Sequence, residues 1–373
     1  MSETTPSLID RLTRTGVTVG SVHLGPRALA WIGAGLALIV FLAIRGWLTD
    51  VFFWEVVVSG LLAGVMYALV ALGFVLIFKS SGIFNFAQGI LALFAALTLV
   101  GFQTGQIPFA HLWSWIFGIE AQFWGAGLST AVSLALSLAT MVALAWVVVR
   151  VVLRPLVNQD PIILFMATIG LAFVLEGVGE LMWGANVKAV DIGLPSGPSD
   201  TIIDATDAAF GAAMFVEKIE IAAAIVAIAL VVALTLFSQY TRMGRALRAV
   251  ADDHQAALSV GISLETIWWI VWSIAGLVAL VAGVMWGAKL GVQFSLSLIA
   301  LKALPVLMLG GFTSIPGAIV GGLIIGVGEK VFEVYVGPEI GGATENWFAY
   351  MLALFFLLFR PQGLFGEKII ERV

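Results

Sequence analysis

Residues Lys79 to Gly89 read KSSGIFNFAQG, and they interrupt a greasy chain with two serines, two glycines, an asparagine and a glutamine. Apolar runs flank them, Phe52 to Phe78 before and Ile90 to Phe102 after. A helix needs about 20 apolar residues to cross the hydrocarbon core, and shorter pieces survive only where protein or water covers their ends. Read locally, the stretch is a turn between two such runs. Lys79 marks a charged end, Ser80-Ser81-Gly82 makes the bend, and Asn85 is placed to cap the next helix.

The whole chain supports a membrane setting for that turn. Of 373 residues, 61% are hydrophobic and 11% charged, with a mean hydropathy of +1.08. Soluble domains carry about 25% charge. The fold class that follows is an all-α polytopic membrane protein. There is no cysteine, which excludes a disulfide framework, a thiolate metal site and a thiol nucleophile. Three histidines, His23, His111 and His254, lie far apart, so no metal site is expected. No pair of facing intramembrane carboxylates and no Ser/His pair at membrane depth stands out, so no catalytic residue is expected either. The phosphate loop Gly-x-x-x-x-Gly-Lys-Ser/Thr is absent from the sequence. Energy for any driven process must therefore come from elsewhere, and no cofactor is expected in this chain.

Ten segments are long or apolar enough to span or half-span: 28–48, 52–78, 86–103, 123–150, 161–183, 215–237, 265–287, 297–312, 316–334 and 344–360. About 27 polar residues precede the first, which is too long for a signal-peptide core and reads as a retained span. Cytoplasmic loops hold an excess of Lys and Arg. An inside N-terminus places Arg150, Arg154, Arg242, Arg245, Arg248 and Arg360 with Lys79 on the cytoplasmic face, and only Lys188, Lys218 and Lys289 clearly outside. Tryptophans favour the headgroup layer. Trp54, Trp113, Trp115, Trp183, Trp286 and Trp347 fall at the expected outer ends. Both termini are thus expected in the cytoplasm. The chain divides into a tail, 1–27, a transmembrane domain, 28–360, and a C-terminal tail, 361–373. Within the domain lie an acidic outer loop, 184–214, and a polar inner loop, 239–262.

Ten spans divide as five plus five, and an odd-numbered repeat inverts its topology. AGVMYALVALG (63–73) echoes AGLVALVAGVMWG (275–287), and each string leads into a polar break. Glycines at 60 and 64, and at 317, 321, 322 and 326, predict close helix contact, more simply within the chain than between subunits. On the fifth span Glu176 and Glu180 share a face. A mid-membrane carboxylate costs at least about 2.5 kcal/mol, so Glu176 should meet a cavity or a partner such as Lys302.

The inner loop, QYTRMGRALRAVADDHQAALSVGI (239–262), is too polar to span, and Leu247, Val250 and Leu258 give it one apolar stripe. From pattern alone it reads as an amphipathic helix on the membrane surface, with Gly261 as its stop. Its order, a basic turn, an acidic pair, an alanine and a glycine, resembles the coupling loop of ABC importer permeases of the high-affinity branched-chain amino-acid family. GIFNFAQG resembles that family's Ile-Asn-Phe-Ala-His-Gly signature, with Gln88 in place of His. RPLVNQDP (154–161), ATIGLAF (167–173), LKALPVLMLGGFTSIPGAIVGG (301–322) and LLFRPQGLFG (357–366) follow the family in order.

The resemblance implies coupling to an ATPase through Arg245, Arg248, Asp252, Asp253, Gln255, Ala256, Ala257 and Gly261. Gln255 stands where the broader importer signature has Glu. It also makes Asn85, Gln88, Thr168, Glu176 and Lys302 candidates for the translocation path, with Asn85 and Gln88 at the start of a half-helix. The implied partners are a second permease of similar fold, two ATP-binding subunits that hold ATP and Mg, a periplasmic solute-binding protein and the bilayer, with no nucleic acid. The implied place is the bacterial inner membrane and the implied cargo branched-chain amino acids or a related small polar solute. Urea or short amides are the near alternative. An ion-coupled secondary transporter is the alternative of a different class.

Overall fold

The computed structural model describes residues 17–19, 22–24, 51–118, 125, 127–157, 159–195, 197–252, 257, 259 and 260–366. The first expected span, 28–48, lies outside them, as do the side chains of Asp252, Asp253, Gln255 and Ala256. The other nine expected segments each hold a helix: α1 Val51–Ser81, α2 Gln88–Thr104, α4 Thr130–Val147, α5 Pro161–Trp183, α7 Lys218–Tyr240, α9 Leu264–Leu290, α10 Ile299–Gly310, α11 Ile315–Tyr335 and α13 Glu345–Phe359. Helix α4 continues through a π turn, Val148–Leu153, and a 3-10 turn, Arg154–Leu156. Short outer helices α3 (Ala110–Phe117) and α6 (Asp200–Phe210), the inner helix α8 (Arg242–Asp252) and the turn-length α12 (Gly337–Ile340) complete the helices. In the N-terminal tail β1 (Val17–Val19) pairs antiparallel with β2 (Val22–Leu24).

Among the described residues six helices are long and apolar enough to cross a membrane, and three apolar segments, Gln88–Thr104, Phe294–Gly310 and Glu345–Phe359, are shorter. Burial separates the long ones. The most apolar stretch of α1 is 72% buried and that of α9 67%, against 22% for α5 and 17% for α7. Helices α1 and α9 are therefore the core, and α5 and α7 offer apolar faces to lipid or to another subunit.

The glycines explain how the core closes. Gly60 and Gly64 of α1 meet Gly322 and Gly326 of α11 so closely that a Cβ on Gly60 would stand 2.8 Å from the Val327 Cα. Backbones in van der Waals contact replace the hydrophobic drive that lipid cannot supply. The adjacent face of the same helix, at Gly317 and Gly321, meets Gly310 and the Val306 carbonyl of α10. Both contacts are within the chain, as the simpler reading of the glycines expects.

The two core helices are followed by matching irregular segments. After α1 the chain turns at Gly82, φ +66°, and runs back along the helix it has left, so that Phe84 stacks on Phe74 at 5.3 Å between centroids. After α9 it turns at Gly291, φ +79°, pairs Val292 with Lys188, and passes through a 3-10 turn, Phe294–Leu298, into α10. In each half a long helix, an irregular segment and a shorter helix follow in that order, and the irregular segments fall at the polar breaks that follow 63–73 and 275–287.

Residues expected on opposite sides of the membrane lie at opposite ends of the helices. Arg150 and Arg154 pair with Glu265 at 2.8 and 3.4 Å, and Leu364 donates its N–H to the Leu309 carbonyl. At the other end Lys188 donates to Gln106 at 2.9 Å, and Lys218 pairs with Asp200 at 2.8 Å. Two tryptophans depart from the headgroup reading. Trp183 is buried edge-on to Phe94, and Trp286 is buried against Tyr67 with its indole N–H on the Met66 carbonyl. Trp115, 83% exposed, and Trp347 do stay on the surface. Tryptophan placed by sequence alone cannot distinguish a headgroup belt from a ring that fills the gap beside a glycine, as Trp183 does beside Gly101.

Candidate functional site

The return segment that opens the sequence forms the site's centre. Asn85 and Gln88 are wholly buried. The Asn85 carboxamide accepts the Ala87 N–H at 3.1 Å and donates to Gln88 Oε1 at 3.3 Å. This differs from the expected helix cap. Helix α2 begins at Gln88 and its N-cap is Ala87, whose side chain can accept nothing, so Asn85 acts one step earlier, folding the approach to the helix into an Asx turn.

Thr168 of α5 holds the same segment from the other side. Its Oγ1 accepts the Phe86 N–H at 3.1 Å and lies 3.1 Å from the Phe84 carbonyl and 2.8 Å from its own-helix carbonyl at Phe165. Irregular backbone at membrane depth carries unpaired polar groups that cost several kcal/mol each in hydrocarbon. The threonine hydroxyl and the asparagine amide satisfy them here.

Depth follows from the neighbours. A Cβ on Gly73 would collide with the Gln88 amide, which packs on that glycine. Gly73 is eight residues before the end of α1, about 12 Å along the helix axis. Helix α2 thus starts well inside the membrane. Gly89, in its first turn, approaches the first turn of α10, and a Cβ there would stand 2.6 Å from the Ala300 Cβ. The N-terminal ends of two shorter helices meet at this level. Gln88 Nε2 has no hydrogen-bond partner.

The candidate path residues therefore divide. Asn85 and Gln88 are hydrogen-bonded to each other, and Thr168 holds the same segment through the Phe86 N–H and the Phe84 carbonyl. Glu176, two turns above Thr168, is half-buried, and Glu180 is exposed. Lys302 is not available to Glu176. It pairs with Glu329 at 3.1 Å and Glu345 at 3.5 Å and approaches the Tyr67 hydroxyl at 3.4 Å. Glu329 is 1% exposed and accepts from Tyr67 at 3.0 Å, and Lys330 pairs with Glu345 at 2.5 Å. Four helices, α1, α10, α11 and α13, meet in this network. Tyr67 and Glu345 escaped the sequence reading. Tyr67 sits in an Ala/Gly/Val run quoted for its repeat, and Glu345 at a span edge, where acids usually meet water.

On the basic side, α8 is fixed to the end of α7. Thr241 caps it, accepting the Gly244 N–H at 2.9 Å. Gly244 packs on the Phe237 and Ser238 carbonyls with no room for a Cβ. Arg248 donates to the Ser238 carbonyl, and Arg245 to that of Tyr240 at 3.4 Å, so cations meet the carbonyl end of α7. Arg242, Met243 and Arg245 are exposed, while Val250 and Ala257 are buried. Gly261 has φ +85°, and the Ile262 N–H returns to the Ala257 carbonyl at 3.0 Å. That is the left-handed helix stop read from the sequence. Among the described residues no cluster of metal-ligating side chains occurs.

Residues 56–360 match the family model for the branched-chain amino acid transport system permease component. The chain is 30% identical to the Salmonella typhimurium high-affinity branched-chain amino acid transport system permease protein LivH, over 86% of this chain and 98% of that one. Its Escherichia coli counterpart is 29% identical over the same shares. BraD of Pseudomonas aeruginosa, described in the same words, is 28% identical over 85% of this chain and 96% of that protein.

Proposed function

Because this chain belongs to the branched-chain amino acid transport permease family, we propose that it passes branched-chain amino acids across the bacterial inner membrane as one subunit of an ATP-driven importer. A second permease of similar fold stands beside it, two ATP-binding subunits below and a periplasmic binding protein above. The observation that carries this reading is α8, a polar helix clamped to α7, with Arg242, Met243 and Arg245 exposed on the basic face.

Closure of the ATP-binding subunits pushes on α8. The push passes to α7 through the Gly244 corner and the two arginines, and to α9 through the stop at Gly261. Helix α9 packs on α1, α2 and α4, so its tilt alters the packing around Asn85, Gln88 and Thr168, which border the path with Glu176. Lys302 serves differently, tying α10 to its neighbours.

The coupling test uses Arg245, which is exposed, in preference to the buried Ala257, where bulk would disturb this subunit's own packing. In Arg245→Glu the complex assembles, but leucine with its binding protein no longer stimulates ATP hydrolysis. Normal stimulation would overturn the docking role. Uptake by reconstituted vesicles decides the cargo: leucine, isoleucine and valine enter with ATP, and transport of urea in their place, or uptake by this chain alone on an ion gradient, would replace the proposal.

A further inference from the structure

A cleft opens between the basic end of α1, the end of α7, and helices α8, α9 and α11. Eight of its twelve lining residues are apolar, among them Leu234, Leu247 and Ile274; the other four are Lys79, Arg248, Ser80 and Ser238, and none is acidic. Lys79 is half-buried and has no hydrogen-bond or ion-pair partner among the described residues. Arg248 spends one N–H on the Ser238 carbonyl.

Two cations beside an apolar wall with no counter-ion among the described residues are costly, because partial burial removes water without supplying opposite charge. An anion is wanted, and its nature follows from the wall and the level. A free phosphate would cover the two cations and leave the half-buried Leu76, Phe237, Leu247, Ile274 and Ile315 wet. Lys79 is in the last turn of α1, beside the surface helix α8, so the cleft lies in the inner headgroup layer. We infer that the cleft holds an anionic phospholipid, its phosphate at Lys79 and Arg248 and the upper part of an acyl chain along Phe237 and Ile274. Basic pockets between helices on the cytoplasmic side take such headgroups. The lipid would seat on the membrane side of α8, away from the exposed Arg242, Met243 and Arg245.

The test is native mass spectrometry of the permease complex, purified from membranes and equilibrated with equal amounts of phosphatidylglycerol, phosphatidylethanolamine and phosphatidylcholine. The complex should retain phosphatidylglycerol preferentially. Lys79→Glu should lower that retention roughly five-fold or more, and Lys79→Arg should keep it. Arg154→Gln removes a cation from the same face outside the cleft and should change nothing. Should Lys79→Glu fail to assemble, Ser238→Leu fills the cleft with every charge kept and should lower retention likewise. No preference for phosphatidylglycerol, an equal loss in Arg154→Gln, or displacement by millimolar inorganic phosphate would each overturn the assignment. So would a partner's peptide in the cleft, seen as subunit loss in Lys79→Glu with the lipid complement unchanged. Retention is read without transport, so its failure is separate from any failure of the coupling role of α8.

Discussion

The side chain of Gln88 packs on Gly73, one filling the space that the other leaves. The return segment can fold back along α1 only because α1 has no side chain at that turn. Gly73→Ala must therefore displace the amide or separate the segment from its helix, at the roughly 1–3 kcal/mol of an overpacked core. Thermal unfolding in detergent should show the loss. Gly73→Ala with Gln88→Ala should recover most of it, and a double variant as unstable as the single one would refute the contact.

Thr168→Val keeps the shape of the side chain and removes the acceptor for the Phe86 N–H. The expected cost is about 1–3 kcal/mol for a donor left unpaired in a buried setting. Thr168→Ser should hold stability near that of the parent. Equal stability of the valine and serine variants would mean that another group satisfies Phe86.

Removing Lys302 leaves Glu329 buried without its cation. Breaking one side of a buried pair costs about 3–5 kcal/mol, more than neutralising both. Lys302→Met should be the less stable variant, and Lys302→Met with Glu329→Gln the more stable, by the same thermal assay. The reverse order would show that Glu329 does not depend on Lys302.

Outside the membrane, Asp200 accepts a hydrogen bond from Lys218, and that bond and the ammonium's charge hold its carboxyl below the usual aspartate range. A depressed carboxyl contributes its tie in full above the ordinary value of about 3.9 and loses it as pH falls through the lower folded value. Hydrogen exchange in α6 should therefore rise only under strongly acidic conditions. In Asp200→Asn it should be raised already at neutral pH, and exchange unchanged by that substitution would remove the tie from the account.

Much of the scaffold was legible because membrane spans announce themselves by length and hydropathy. Pro161–Trp183 is found with its expected bounds, and Leu264–Leu290 within a few residues of them. The return segment was legible as a break and not as a shape: nothing in KSSGIFNFAQG says that Phe84 will stack on Phe74 or that Thr168, over eighty residues on, will hold it. The Lys302 network was illegible for the same reason. Its directly bonded members lie up to 262 positions apart, and an ion pair is decided by which helix faces meet. The amphipathic inner loop showed the opposite case, where Gly261 fixes a helix end by local backbone chemistry alone.

The meeting of Gly89 with Ala300 has a consequence for leakage. Each helix N-terminus carries the equivalent of about half a positive charge. With α2 and α10 bringing theirs together at depth, sodium, potassium or a hydrated proton entering there meets repulsion that a zwitterion, carrying its own carboxylate, offsets. A bacterium lives on the ion gradients across its inner membrane, and a passage wide enough for leucine could short-circuit them. On the proposed path past Asn85 and Gln88, the paired helix ends would oppose that leakage.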